Sequence, residues 1–334
     1  MTSSPSAGPP DLIATAVEVD TLATEDDSTY GDELDSLTTS VISSALDYPN
    51  ENGRRYHAYR TGRYMMPNDE DEKERLDIMH EMFLTMMDRE LFLAPLSDSP
   101  RRVLDLGAGS GIWALDFADQ FPSAEVTGND LSRIQPSYAP PNVKFIIDDY
   151  EAEWAYGDCR FDFIHGRYLA FSVNNFQGLI NQCYDNLAPG GWVEFQDWDG
   201  NLYSQDGSIE GTSMKQYFDA IIPAMEKTGK DPSPGPKYER WLQAAGFRDI
   251  EVQKFVIPVG AWPKDKRLKY LGIWNLLQSE TGYEATAMAV LTREEKWSKE
   301  EVSALVAKAK NDTKNRNIHG LLDFYVVYGR KPSG

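Results

Sequence analysis

Cysteine is scarce in this chain: Cys159 and Cys183 are the only two in 334 residues. Two thiols in so long a chain make neither a disulfide framework nor a metal-ligand pair, and they fit a reducing compartment. Positive charge is short too, with 33 Lys and Arg against 53 Asp and Glu and a formal net charge of −20. A field of that sign repels phosphate backbones and anionic lipid surfaces. Nucleic acid and membrane are therefore not expected as partners. No run approaches the roughly twenty apolar residues that span a bilayer. The start, MTSSPSAGPPDL, has no basic segment and no apolar stretch, so no secretory signal is expected. No basic cluster resembles a nuclear import signal. These absences place the chain in the cytoplasm, with the nucleus as the alternative. Catalytic signatures are missing as well. There is no H-E-x-x-H, no paired Cys/His spacing and no Ser-His-Asp order, so no metal is expected.

What is present is organised in three parts. Residues 1–50 hold ten acids and no Lys or Arg. Such a segment buries too little apolar surface to offset its ordering entropy, so a solvated acidic tail is expected, with a protein partner as its functional alternative. Residues 51–98 carry an aromatic-basic cluster (Tyr56, Tyr59, Arg60 and Tyr64) and then a helix. Asn68 and Asp69 can cap that helix, and Leu76, Met79, Met82, Phe83, Met86 and Met87 recur at helical spacing. The cluster fits either packing on the domain or a lid over a ligand. From residue 99 to 334, strand and helix patterns alternate, which predicts an α/β doubly wound sheet, its strands parallel, with helices on both faces. About sixty residues, helical in pattern over roughly 261–318, separate the last two strands. That insertion is expected to cover the ligand edge of the sheet.

The first strand runs straight into a helix through Asp105-Leu106-Gly107-Ala108-Gly109-Ser110-Gly111. Ligands of open α/β sheets bind at that edge. Glycine there permits unusual dihedrals and close approach to the backbone. The loop is not a dinucleotide fingerprint, because the third required position is Ile112 rather than glycine. It is not a P-loop, because Gly-Lys-Ser/Thr is absent. An acid at the strand end, Asp105, suits a cationic amino acid better than a pyrophosphate. Asp130, followed by Leu131, ends the second strand and can accept from two ribose hydroxyls. Asp149 ends the third and can accept from an adenine amino group, while Tyr150 packs on the ring. Amino acid, ribose and adenine together outline S-adenosyl-L-methionine.

From about Glu51 to Pro332 the chain resembles the LaeA-like fungal methyltransferases. The resemblance rests on "ENGRRYHAYRTGRYMMPNDEDEKERLD", "VLDLGAGSGIWALDFADQFPSAEVTGNDLSRIQP", "PPNVKFIIDDYEAEW", "FDFIHGRYL", "NLAPGGWVEFQDWD" and "VVYGRKP". The glycine loop specifies only the superfamily; "YHAYRTGRY…PND" and "HGRYL" are much narrower. The resemblance implies a Rossmann-like seven-stranded sheet with the last strand antiparallel, and S-adenosylmethionine-dependent methyl transfer. It implies that Asp105, Gly107, Gly109 and Gly111 hold the methionine end of the cofactor. Asp130 and Leu131 would take the ribose, Asp149 and Tyr150 the adenine. His165 and Arg167 would lie beside the sulfonium, and Tyr56–Tyr64 would close over the cofactor as a lid.

Methyl transfer from a sulfonium needs alignment and exclusion of water; a general base is needed only where the acceptor loses a proton. Candidate bases are His165 and His319, each equally consistent with a structural role. Trp198, Trp262 and Trp274 are candidate walls of an acceptor pocket, with core packing as the alternative. Asp197 and Asp199 read as strand-end caps. Three functions fit: a small-molecule methyltransferase of fungal secondary metabolism, a LaeA-like regulator acting through protein partners in the nucleus, and a methyltransferase-fold protein running other chemistry.

Overall fold

The computed structural model describes residues 47–60, 62, 64–157 and 159–333. The expected acidic tail falls, up to residue 46, outside the described residues, as do Thr61 and Arg63 of the aromatic-basic segment. A short hairpin, β1 (Asn50–Glu51) and β2 (Arg54–Arg55), leads into α1 (Glu70–Met86). The alternating core follows as β3 (Arg102–Leu106), α2 (Ile112–Gln120), β4 (Glu125–Asp130), β5 (Val143–Ile147), β6 (Phe161–Arg167), α3 (Phe176–Asn186) and β7 (Leu187–Tyr203). Next come α4 (Ser213–Lys227), α5 (Tyr238–Ala245), β8 (Arg248–Val259), α6 (Lys266–Arg293), α7 (Lys299–Lys314) and β9 (Gly320–Arg330).

Seven strands form one sheet in the order β5-β4-β3-β6-β7-β9-β8. The pairs β3/β4, β4/β5, β3/β6 and β6/β7 are parallel, and β9 runs antiparallel between β7 and β8. The last strand is thus antiparallel, as the resemblance implied. From β3 the chain steps outward to β4 and β5, then returns to place β6 on the other side of β3. That reversal opens a crevice at the carboxyl ends of β3 and β6.

Local chemistry sets these elements. Asp69 caps α1 by accepting from the Glu72 amide at 3.1 Å, and Arg54 grips the same carboxylate at 2.6 and 2.7 Å, so the hairpin and helix are locked together. Gly111 opens α2 with φ +84°. A Cβ there would stand 2.6 Å from the Phe145 ring, so only glycine fits both the dihedral and the space. The apolar face of α1 (Met79, Met82, Phe83 and Met86) packs in a core cluster with Trp198, Phe324 and Val326 of the sheet. Among the described residues no helix is long and apolar enough to cross a membrane.

Buried acids pin the connection after α1 to the sheet. Glu194 of β7 accepts from the Leu93 and Ala94 amides at 2.8 and 2.7 Å and from Gln196 at 2.7 Å. Burial pushes its pKa from 4.5 up to about 7. Asp197, which accepts from the Leu169 and Ala170 amides and the Tyr238 hydroxyl, is likewise pushed to about 7 by burial. The folded protein therefore retains protons that the unfolded chain releases. Stability contributed by both groups is lost as pH rises from about 4.5 through about 7. Urea midpoints are expected to fall between pH 5.5 and 8, and Glu194→Gln to flatten that decline.

Candidate active site

A cavity open to solvent occupies the crevice. Its floor is the tips of four strands. Asp105 lies on β3, and Gly107, Ala108, Gly109 and Ser110 follow it; Asp130 ends β4, and Leu131 and Ser132 follow; Tyr150 follows β5; His165 and Arg167 lie at the end of β6. Its roof is Tyr64 and one face of α1, including Glu72, Leu76, Met79 and Phe83. Hydrogen bonds tie roof to floor: Ser110 Oγ donates to Asp77 at 2.8 Å, and Asn68 Nδ2 donates to Ser132 Oγ at 3.1 Å.

Register brings the first pair of polar groups together. Asp105 on β3 lies opposite His165 on β6, and Asp105 Oδ1 meets His165 Nδ1 at 2.8 Å. A carboxylate only accepts, so the shared proton sits on Nδ1 and fixes the tautomer. The ring stacks on Trp113 at 3.7 Å, nearly coplanar. Burial lowers the His165 pKa, against the pull of Asp105, so the imidazole is held neutral. The second oxygen of Asp105 is buried without a hydrogen-bond partner among the described residues.

Arg167, like His165 at its Nε2, also carries an unsatisfied buried nitrogen among the described residues. Its Nη2 donates to His80 Nδ1 at 2.9 Å, and His80 Nε2 in turn meets Asp116 at 2.9 Å. Its guanidinium carbon lies 5.0 Å from the Phe83 ring centroid. Nη1 is buried with no partner among the described residues. Burial lowers the Arg167 pKa to about 10, with Asp105 and Asp116 pulling the other way. A buried cation with a free donor and no carboxylate in contact calls for an anionic group.

Asp130 does double duty. Its two oxygens accept from the Gly109 and Ser132 amides at 2.9 and 2.8 Å, so it holds the glycine loop against β4. A carboxylate has about four lone-pair sites, so capacity remains. Burial raises its pKa to about 6. Glycine is required at Gly107, φ +66°, where a Cβ would meet Leu169 at 3.1 Å and Tyr150 at 3.4 Å across the cavity floor.

The structure places several of the expected residues away from the cavity lining. Gly111 does not line the cavity; it is committed to the α2 turn against Phe145. Asp149 also stands outside the lining, with its carboxylate 3.3 Å from Arg60 Nε. Of the aromatic-basic cluster only Tyr64 reaches the cavity. Tyr56 is buried in a separate cluster with Met65 and Tyr217, under the Arg293 guanidinium, and Tyr59 rests against Arg60. His319 lies at the far end of the insertion. It pairs with Asp206 at 2.6 Å and packs on Trp262, and neither His319 nor Trp262 lines the cavity. Trp274 packs beside the core cluster that contains Trp198. The insertion contributes nothing to this cavity, because α1 already roofs it.

A second chamber lies where the insertion does reach the sheet edge, between α4, α6 and the ends of β7 and β9. Trp198 lines it, as expected of an acceptor wall; Trp262 and Trp274 do not. Tyr168, Tyr217 and Phe218, which line it, were missed from the sequence. Tyr217 and Phe218 sit on an amphipathic helix whose apolar face reads as ordinary core. Tyr168 follows "HGR" directly, and that adjacency was the available signal. Among the described residues no group of three or more His, Cys, Asp or Glu side chains is placed to hold a metal ion.

A Rossmann-like sheet with a glycine loop and acids at successive strand tips lines this crevice. Comparison with known proteins supplies the family. Residues 78–252 match a family profile described as a methyltransferase domain. The methyltransferase pytC of Aspergillus terreus is 42% identical over 302 residues, covering 90% of this chain and 93% of that protein. The secondary metabolism regulator laeA of Aspergillus fumigatus is 35% identical, covering 89% and 81%. The protein-methionine methyltransferase laeA of Emericella nidulans is 33% identical, covering 87% and 78%. Among solved structures, phosphoethanolamine N-methyltransferase 2 of Haemonchus contortus aligns at 17% identity over 90% of this chain and 74% of that one, with a TM-score of 0.48. The chain belongs to the methyltransferase family and is LaeA-like. The family and its cofactor, S-adenosylmethionine, are those the sequence resemblance implied.

Proposed function

We propose that the chain transfers the methyl group of S-adenosylmethionine to a nucleophile on a small molecule in fungal secondary metabolism. One observation carries the cofactor's placement. A buried carboxylate oxygen of Asp105 and a buried Arg167 nitrogen, both without partners, line the same cavity. They complement the ammonium and carboxylate of the cofactor's amino acid. Asp130, with Leu131 beside it, takes the ribose hydroxyls, and Tyr150 packs by the base. His165 acts here as a positioning residue that orients Asp105. Bound there, the cofactor would supply a methyl carbon already activated by its sulfonium. The protein's own contribution is to fix the donor, exclude water beneath α1 and present the acceptor.

The apolar and aromatic lining of the second chamber favours a small-molecule acceptor. The names of the laeA relatives favour the other reading, a protein acceptor. Incubation with methyl-labelled cofactor and either extracted metabolites or total protein separates the two. Label is expected in the small-molecule fraction; label confined to protein overturns the reading. The roof gives a second test. Addition of S-adenosylhomocysteine is expected to slow amide exchange across residues 64–79 at least severalfold, because Tyr64, Glu72, Leu76 and Met79 touch the cavity.

A further inference from the structure

The two chambers share a wall. Met79 and Tyr168 line both; Glu72 lines the first and Arg75 the second. Glu72 and Arg75 form a doubly bonded buried ion pair at 2.5 and 2.8 Å. Arg75 also donates to Met79 Sδ, and its guanidinium lies 5.5 Å from the Tyr168 ring centroid. Tyr168 holds φ +57°, a left-handed conformation costly for a bulky residue. That geometry turns the chain at the tip of β6 and sets the ring between the chambers.

The second chamber is built differently from the first. Tyr217, Phe218, Ile221 and Trp198 make most of its wall apolar or aromatic. Its polar groups satisfy one another. Asn275 donates to the Pro258 carbonyl at 3.0 Å and accepts from Gln278 at 2.8 Å, and Ser279 donates to the Leu276 carbonyl. Among the described residues the one cation in the wall, Arg75, is neutralised by Glu72. The one acid, Asp199, accepts from the neutral Asn201 side chain at 2.6 Å and keeps its charge. An anionic ligand would shed its hydration here without gaining a free counter-charge.

Resting on the methyltransferase reading above, we infer that this chamber is the acceptor site and that it selects a largely apolar, ring-bearing molecule that carries no negative charge. The acceptor stacks among Tyr217, Phe218 and Trp198 and offers its nucleophile at the Met79–Tyr168 partition. Specificity comes from shape and from exclusion of anions, not from a dedicated hydrogen-bond code.

The test is binding, measured on the full chain with and without S-adenosylhomocysteine. The probes are 2-naphthol and its anionic counterpart 2-naphthoate, followed by calorimetry. 2-Naphthol is expected to bind, with 2-naphthoate at least tenfold weaker. Thr286→Trp, on the α6 wall, is expected to fill the chamber and weaken 2-naphthol at least tenfold while S-adenosylhomocysteine affinity stays within twofold. Ile222→Trp, from the α4 side, makes the same test should the first variant not fold. 2-Naphthoate binding as tightly as 2-naphthol overturns the inference, and so does a folded Trp variant that binds 2-naphthol unchanged. Failure of S-adenosylhomocysteine to bind overturns the cofactor reading instead. Retained S-adenosylhomocysteine binding with no 2-naphthol binding overturns this one alone.

Discussion

Asp130→Ala is expected to lower affinity for S-adenosylhomocysteine about a hundredfold or more. Hydrogen bonds to a charged group contribute about 1.5–3 kcal/mol each, and two to the ribose are at stake. The same change frees the Gly109 and Ser132 amides, which Asp130 now holds at 2.9 and 2.8 Å. The loop would loosen as the ribose contact disappears, so both effects act in one direction. Asp130→Asn separates them. Its side-chain oxygen can still accept from one loop amide but carries no charge, so it should bind with intermediate affinity. Calorimetry on folded variants checks this, and unchanged affinity in the Ala variant removes the ribose assignment. Burial places the Asp130 pKa near 6, so cofactor affinity should also weaken as pH falls through about 6. Protonation would discharge the carboxylate that the hydroxyls need.

Arg167→Met should cost a similar factor in affinity, but only for ligands that carry the amino-acid carboxylate. The guanidinium is buried with Nη1 unpartnered and its pKa lowered to about 10, the condition of a cation waiting for an anion. Removing it takes away one charge-assisted pair, about two orders of magnitude when desolvated. 5′-Methylthioadenosine lacks the amino acid and should bind wild type and variant alike. Equal losses for both ligands would mean that Arg167 supports the cavity's shape and not the carboxylate. Met relieves the uncompensated charge but strands His80 Nδ1, which now accepts from Arg167. The melting temperature of the ligand-free variant should therefore change by only a few degrees, in contrast to its affinity.

The alternation of strand and helix, the glycine loop and the acids at Asp105 and Asp130 were legible along the chain. Each depends on periodicity or on a dihedral demand local to a few residues. The residues that failed to reach the site did so for packing reasons that no local pattern encodes. Tyr56 and Tyr64 lie eight positions apart in one aromatic-rich segment, yet one is core and the other roof. His319 precedes a strand, as His165 ends one. But β9 runs antiparallel to β7, and the approach to it places His319 beside Asp206 and Trp262 and not in the crevice.

By itself, then, the order of residues determined a doubly wound sheet whose first turn must approach a ligand, because glycine and acid at a strand tip have few other uses. Only tertiary structure decided which charges stay unpaired, which helix forms the roof and where the second chamber opens. Those depend on contacts such as Arg167 with His80, or Arg75 with Gln278, across 87 and 203 positions of chain. Whether a buried group finds a partner is settled when distant elements pack, and that is where the chemistry of this site was fixed.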